Sequence, residues 1–315
     1  MGIDLLPIAY RLSPIAFCLF FRMKKSIFNN RILPYLLVAP QMIVVLVFFF
    51  WPAFDSLRLS VFKTSPFGDV QIFIGLENFI DLLTSPEYYR SVYHSFLFSL
   101  GVTFSCLSVS LFLAVLANQK IRGLTFYRSA LLWTFGVAPP VSGVIWLFVF
   151  HPSYGILTYL LAHITTYEFN WLLKGWIALL LVIFAASWAH LGYNVAFFLA
   201  GLQTIPQAVM EAARVDGASG LRLFGRITFP LLSPVTFFLF IMNMVFSFFE
   251  TFGLIHAVTQ GGPGDATTIM VYKTYVDGFV HMRMGLSAAQ SVILMALVIF
   301  LTVLQFRYTE RKVFY

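Results

Sequence analysis

Two groups of side chains in this 315-residue sequence could do chemistry. The first is a run of charge, Glu211, Arg214, Asp216, Arg222 and Arg226, inside the stretch EAARVDGASGLRLFGRITFPLLSP at residues 211–234. Carboxylate and guanidinium groups at this density offer charge-assisted hydrogen bonds to a partner surface. Ala212, Ala213 and Ala218 are small enough to let the backbone between them enter a groove. The plainer alternative is a solvated connecting loop. The second group lies within apolar runs. Asn243, Ser247, Glu250 and Thr251 fall at offsets of 0, 4, 7 and 8, one face of a helix, and Ser187, His190, Tyr193 and Asn194, at 0, 3, 6 and 7, again share one face. Ser287, Gln290 and Ser291, and Ser95, Ser99 and Thr103, add further polar positions. Such groups are costly in lipid, about 2.5–3.5 kcal/mol for a central carboxylate, and face the interior of a bundle. There they either hydrogen-bond neighbouring helices or line a path for a polar solute. The Ser and Thr positions suit the first role, and Asn194 and Glu250 the second. Glu250 would accept from a solute's hydroxyls or pair with a cation on a partner subunit.

Other chemistry is missing from the pattern. No G-x-x-x-x-G-K-[ST] phosphate loop occurs, and GGPGDATT at 261–268 has the glycines of one but not the lysine. The six histidines show no ligand spacing, and Cys18 and Cys106 suggest neither a disulfide framework nor a thiolate site. The expectation is a chain that is not an enzyme and binds neither metal nor cofactor, with any ATP and Mg held by other subunits.

The elements that must position these residues follow from composition. The chain is 60% hydrophobic and only 10% charged, against about 25% charged in soluble domains. Six runs reach the roughly 20 apolar residues that a spanning helix needs: 33–60, 93–118, 126–150, 175–202, 231–258 and 286–306. The expected fold is an all-α integral membrane protein with six transmembrane helices. Of the twenty Lys and Arg, Arg58, Lys63, Arg90, Lys174, Lys273 and Arg283 fall on one side, with most of the acids, Asp69, Glu168 and Asp265 among them. The other fourteen, including Lys120, Arg122, Arg311 and Lys312, share a side with both termini and the loop 203–230, which the positive-inside rule makes cytoplasmic. A net charge of +7 distributed this way is no footprint of nucleic acid. Residues 1–30 are expected to form a cytoplasmic N-terminal segment too short and too Pro-interrupted to span, with Met23 as an alternative start; residues 31–315 are expected to form one six-span unit that includes the loop 203–230.

Within 203–230, Thr204 and Gln207 have capping-box spacing, with Pro206 in the first turn. A helix is expected over 207–215, ended by Asp216 and a left-handed Gly217. Ser219 would cap a second short helix through Arg226, and Pro230 and Pro234 would fix the exit into the fifth span.

The order Glu211-Ala212-Ala213, Asp216-Gly217-Ala218, Phe224 and Ile227-Thr228-Phe229-Pro230 resembles the EAA loop of permease subunits of binding-protein-dependent ABC importers, and IPQAVMEAARVDGA has the form typical of sugar and related permeases. LPYLLVAPQMIVVLVFFFWPA, GLENF, TQGGPGDATT, VYKTYVDGF and SAAQSVILMALVIFLTVLQFRYTERKV are similar to the first permease subunits of sn-glycerol-3-phosphate importers. The resemblance implies a type I permease fold in the bacterial inner membrane, with a coupling helix that docks into a nucleotide-binding subunit through Glu211, Ala212, Ala213, Asp216, Gly217, Ala218, Phe224 and Pro230. It implies a second homologous permease, two ATP-binding subunits and an extracytoplasmic solute-binding protein. It implies alternating-access transport of sn-glycerol-3-phosphate or a related glycerophosphodiester, with Tyr193, Asn194, Asn243, Ser247, Glu250 and Thr251 as the candidate path. A sugar permease of the same family is the alternative, although Glu250-Thr251 stands where such permeases often carry asparagines. An ion-driven secondary transporter would leave the 203–230 loop unexplained.

Overall fold

Long apolar stretches fold as helices because a helix satisfies its own backbone where water is absent. The computed structural model describes residues 32–65, 70–119, 123–164 and 170–309. The N-terminal segment 1–30 with the alternative start at Met23, and the charge markers Asp69, Lys120, Arg122, Glu168, Arg311 and Lys312, lie outside these residues. The chain divides into two units, one ending at Asp55 and the other beginning at Ser56. The first contains helix α1, Leu33–Leu59, as far as Asp55. Pro52 has no N–H to offer the preceding turn. A π-turn at Leu46–Phe50 absorbs this, with the Trp51 N–H reaching back to Leu46 O.

The second unit opens with a feature absent from the all-helical expectation. Strands β1 (Phe62–Thr64) and β2 (Gln71–Phe73) pair antiparallel, Phe62 opposite Phe73 and Thr64 opposite Gln71. The signal was the short β-branched and aromatic alternation, outweighed by the surrounding apolar runs. Asn78 on α2 (Glu77–Thr84) holds the hairpin by donating to Ser60 O at 2.8 Å and Phe62 O at 3.0 Å. Helix α3, Pro86–Ala117, starts seven residues before the expected span. Pro86 sits in the first turn, and Ser85 Oγ accepts from Tyr88 N. Its C-terminal carbonyl, Ala117 O, accepts from Arg128 Nε at 3.1 Å and Nη2 at 3.0 Å.

The third span is not the single helix expected over 126–150. Helix α4 (Leu124–Leu132) tightens into a 3-10 turn at Trp133–Gly136, and helix α5 (Pro139–Phe150) leaves at 105° to it. Pro139 and Pro140 remove two consecutive donors, and a residue before proline avoids helical geometry. Val137 and Ala138 are accordingly extended, at φ −94, ψ 118 and φ −61, ψ 141. The next elements are a short apolar helix, α6 (Ile156–Ile164), and α7 (Gly175–Thr204). Then come α8 (Gln207–Val215), α9 (Gly220–Leu223) with its continuation through Leu231, and α10 (Ser233–Val245), extended by a π-turn to Glu250. The fifth span breaks at Thr251, and α11 (Phe252–Val258) follows. On the far side of the glycine-rich turn lie α12 (Met270–Tyr275, with a π-turn at Val276–Val280) and α13 (Met284–Thr309). Five of these helices are long and apolar enough to cross a bilayer, and the bent pair α4–α5 makes a sixth crossing when taken as one.

The packing centre is α3 against α7, with α10 alongside. Small residues let the backbones close up, since lipid itself provides no hydrophobic drive between helices. Ala185, Ala186 and Ala114 are fully buried. Gly192 donates its N–H to Thr134 Oγ1 at 2.9 Å, and a Cβ on it would lie 2.7 Å from that oxygen and 2.9 Å from Phe135 N. Gly192→Ala must therefore push α7 off the 3-10 turn. Such overpacking costs about 1–3 kcal/mol, and a lower melting temperature of the purified protein in detergent, with Ala200→Gly as a surface comparison, is the expected reading.

Candidate functional site

Residues 207–231 make a sharp elbow between the ends of α7 and α10. The expected helix over 207–215 is present, but its start differs. Pro206 is the N-cap, extended at ψ 130, with no side-chain cap. Thr204 Oγ1 bonds back to Gly201 O at 2.8 Å, and the Gln207 amide donates to Glu211 Oε1 at 2.8 Å. No capping box forms, because Thr204 still belongs to α7 and its hydroxyl is taken by that helix. The end of α8 matches expectation. Gly217 is left-handed at φ 81, Ala218 N donates to Ala213 O at 2.9 Å and Gly217 N to Arg214 O at 3.1 Å, the paired bonds of a Schellman motif. Ser219 stands at the next N-cap through its backbone alone, and the second helix runs past Arg226. Pro230 lies inside this run, not at its exit. Its missing donor is met by a π-turn at Phe224–Thr228, where Phe229 N reaches Phe224 O.

The elbow brings Glu211, Ala212, Asp216 and Gly217 together on an exposed tip, while Ala213 is buried at 6% and anchors α8. Ala218 and Phe224 are half-buried, and Pro230 lies where the elbow rejoins α10. Two apolar residues that the charge pattern hid share this tip. Val215 is 87% exposed and Leu221 90%. Behind the tip is a groove of about 1260 Å³, bounded by Ser108, Phe112 and Asn118 of α3's final turns and by Met210, Arg214 and Phe224 of the elbow. Charged groups thus flank bare Val and Leu side chains on a bend stiffened by a Schellman motif.

The second candidate group divides. Asn194 on α7 and Asn243 on α10 are both fully buried. Their amides pair reciprocally, Asn194 Nδ2 to Asn243 Oδ1 at 3.1 Å and Asn243 Nδ2 to Asn194 Oδ1 at 2.6 Å. Asn194 also donates to His190 O at 3.0 Å and Cys106 Sγ at 3.1 Å, and Asn243 to Leu239 O at 2.7 Å. Ser247 and Ser99 share a hydrogen bond of 2.5 Å, as do Ser105 and Ser187. Thr251 bonds Ser247 O at 2.9 Å. Asn194, Asn243, Ser247 and Thr251 thus form a polar seam stitching α3, α7 and α10.

Glu250 does not share their face. It is exposed on the outside of the chain and makes no hydrogen bond or ion pair among the described residues. The π-turn at Phe246–Glu250 explains the departure. A wider turn advances less angle per residue, so Glu250 falls short of the face that an α-helix would give it, and Thr251 rotates into its place. Half-buried Tyr193 lies within Coulombic reach of Glu250 and makes tilted ring contacts with Phe135 and Phe197, at centroid distances of 5.8 and 4.7 Å. Tyr193 and Glu250 therefore mark an outward, aromatic face, distinct from the buried seam.

The sequence family described as "Binding-protein-dependent transport system inner membrane component" matches residues 95–315. The chain is 49% identical over 295 residues to the sn-glycerol-3-phosphate transport system permease protein UgpA of Rhizobium meliloti (strain 1021), covering 93% of this chain and 100% of that protein. It is 46% identical over 291 residues to the protein of that name from Salmonella typhi, covering 92% and 98%. Among solved structures it superposes on a chain of a bacterial alginate ABC transporter in complex with an alginate pentasaccharide-bound periplasmic protein, with a TM-score of 0.75 at 19% identity, over 89% of this chain and 94% of that one.

The reciprocal amide pair yields a direct test. Asn243→Ala leaves the buried Asn194 Oδ1 without its donor, at a cost of about 1–3 kcal/mol. Thermal unfolding in detergent should therefore come at lower temperature for Asn243→Ala than for the wild type, and the double change to Leu at 194 and 243 should recover part of the loss.

Proposed function

The chain belongs to the family of binding-protein-dependent transport system inner membrane components, and we propose that it imports sn-glycerol-3-phosphate by alternating access, as one permease subunit of an ATP-driven complex. It is a multi-pass membrane protein with the type I permease fold. The observation that carries the mechanism is the elbow: a stiff, exposed tip with Glu211, Asp216, Val215 and Leu221, joined directly to two clamped helices. Two ATP-binding subunits cover such tips, one on this chain and one on a second, homologous permease. ATP and Mg stay on those subunits. Their closure pushes the tip, and because α7 and α10 are joined through Asn194 and Asn243, the push swings both helices together. The solute arrives from an extracytoplasmic binding protein and passes along the outward face marked by Tyr193 and Glu250, which the second permease completes. The Glu250 carboxylate accepts hydrogen bonds from the glycerol hydroxyls or pairs with a cation of that second subunit. The substrate assignment rests on the 46–49% identity across nearly the whole chain to permeases of that name.

The complex purified with both permeases should hydrolyse ATP faster when its binding protein is added loaded with sn-glycerol-3-phosphate. Gly217→Pro cannot adopt φ 81 because the ring fixes φ near −65°. That variant and Glu211→Lys should stay in the membrane yet lose the stimulation and the uptake. Stimulation unchanged in both variants would remove the elbow from the mechanism.

Orientation has its own test. The elbow is cytoplasmic in this reading, and the turn before α12 is external. In a chain with Cys18 and Cys106 replaced by Ser, Asp216→Cys and Asp265→Cys, both at exposed positions, should react with an impermeant maleimide from opposite sides. Reaction of both from one side would end the scheme.

A further inference from the structure

On the side of the chain away from the elbow, a pocket of about 690 Å³ lies between the β-hairpin, α2 and the α12–α13 corner. Its lining includes three fixed cations, Lys63, Lys273 and Arg283, but also four carboxylates, Glu77, Asp81, Glu87 and Asp277. That balance is wrong for concentrating an anionic solute. What stands out is one carboxylate at its floor. Asp277 is 3% exposed and lies in the π-turn at the end of α12. It accepts from Gln290 Nε2 of α13 at 2.5 Å and from His281 Nδ1 at 3.0 Å, with Lys273 Nζ at 3.3 Å. Burial alone would raise its pKa, but the bonds from His281 and Gln290 and the Lys273 ammonium outweigh it and hold the carboxyl below its ordinary range. The backbone is equally committed here: Arg283 N donates to Asp277 O at 2.8 Å, and Ser287 Oγ to Thr274 O at 2.7 Å. By contrast, the link from Lys273 to Glu87 on α3 is 3.8 Å long and its acid is 76% exposed.

Asp277 thus fixes α12 onto α13, and α12 is the landing of the glycine-rich turn. The turn is preformed: Thr259 and Thr267 share a hydroxyl bond of 2.7 Å, Thr267 Oγ1 donates to Gly262 O at 2.9 Å and Thr268 Oγ1 to Gly261 O at 3.2 Å. Its tip, Gly264 and Asp265, is exposed. Its first foot is α11. Its second is Met270, whose N–H donates to buried Ser95 Oγ at 2.7 Å. A turn that is rigid in itself is presented at a defined height only if both feet are fixed.

We propose that Asp277 is a positioning residue for transport: by clamping α12 to α13 it holds the 259–268 turn where the loaded solute-binding protein engages the complex. The inference rests on the importer reading above. With the whole complex in nanodiscs, ATPase activity is titrated with binding protein loaded with sn-glycerol-3-phosphate. Asp277→Asn, nearly isosteric, should raise the half-saturating concentration about tenfold, the size of one lost charge-assisted contact, while leaving the maximal rate near wild type. Lys273→Met should do the same in lesser degree, Lys273→Arg should restore the wild-type value, and Glu87→Gln should leave it unchanged. Should Asp277→Asn fail to assemble, the Met and Arg variants of Lys273 decide: equal half-saturation for the two overturns the proposal. So does a fall in maximal rate at unchanged half-saturation, which marks a role in stability alone. A wild-type complex that no loaded binding protein stimulates would instead overturn the importer reading itself.

Discussion

In an apolar solvent a backbone carbonyl without a donor has nowhere to turn, and the shape of this chain is set by where prolines remove donors. Pro52 and Pro230 each withdraw one. In both places the helix inserts a π-turn just upstream, at Leu46–Phe50 and Phe224–Thr228, and goes on. Pro139 and Pro140 withdraw two in succession and force the residues before them to extend, and the helix cannot go on. The result is the 105° bend between α4 and α5. At Pro52 and Pro230 the single deficit is met by a bulge and at Pro139–Pro140 the double one by a corner, whereas Pro40 is passed inside an α-helix. The remaining packing has to accommodate both, down to the Gly192 contact that holds the turn before the corner against α7.

The elbow inherits its stiffness from the same accounting of backbone groups. Its bend closes with two carbonyls satisfied at Ala213 and Arg214, and its return run meets Pro230 with a bulge, so neither half is free to unwind. The seam does for the two legs what these bonds do for the tip. Hydroxyls and amides that would be worth little at a wet surface hold α3, α7 and α10 in one register, because within the bundle no solvent competes for them.

Much of this was legible from composition and period. Runs of apolar residues located the helices, and Asp216-Gly217 located the end of α8 to the residue, because only a left-handed glycine closes that motif. The failures share a cause: local rules were applied without the competing bond. Thr204 has the spacing of a cap but spends its hydroxyl on Gly201. Pro139-Pro140 was in plain view, yet hydropathy averages across it. Glu250 has the spacing of the buried face only under a uniform helical period, and the π-turn at Phe246–Glu250, which leaves little trace in residue type, rotates it outward. Val215 and Leu221 are hidden in a loop whose composition is dominated by charge, and only the structure shows both side chains bare beside the bend.

The paired amides have a bearing on how the chain can change over generations. Asn194 and Asn243 are 49 residues apart, and each amide oxygen accepts from the other's amide nitrogen across the seam. A change at Asn243 alone leaves the Asn194 oxygen without its donor, and a change at Asn194 alone does the same to the Asn243 oxygen, so a route that avoids the cost needs both. The single changes therefore pass through a less stable intermediate that the double change leaves behind.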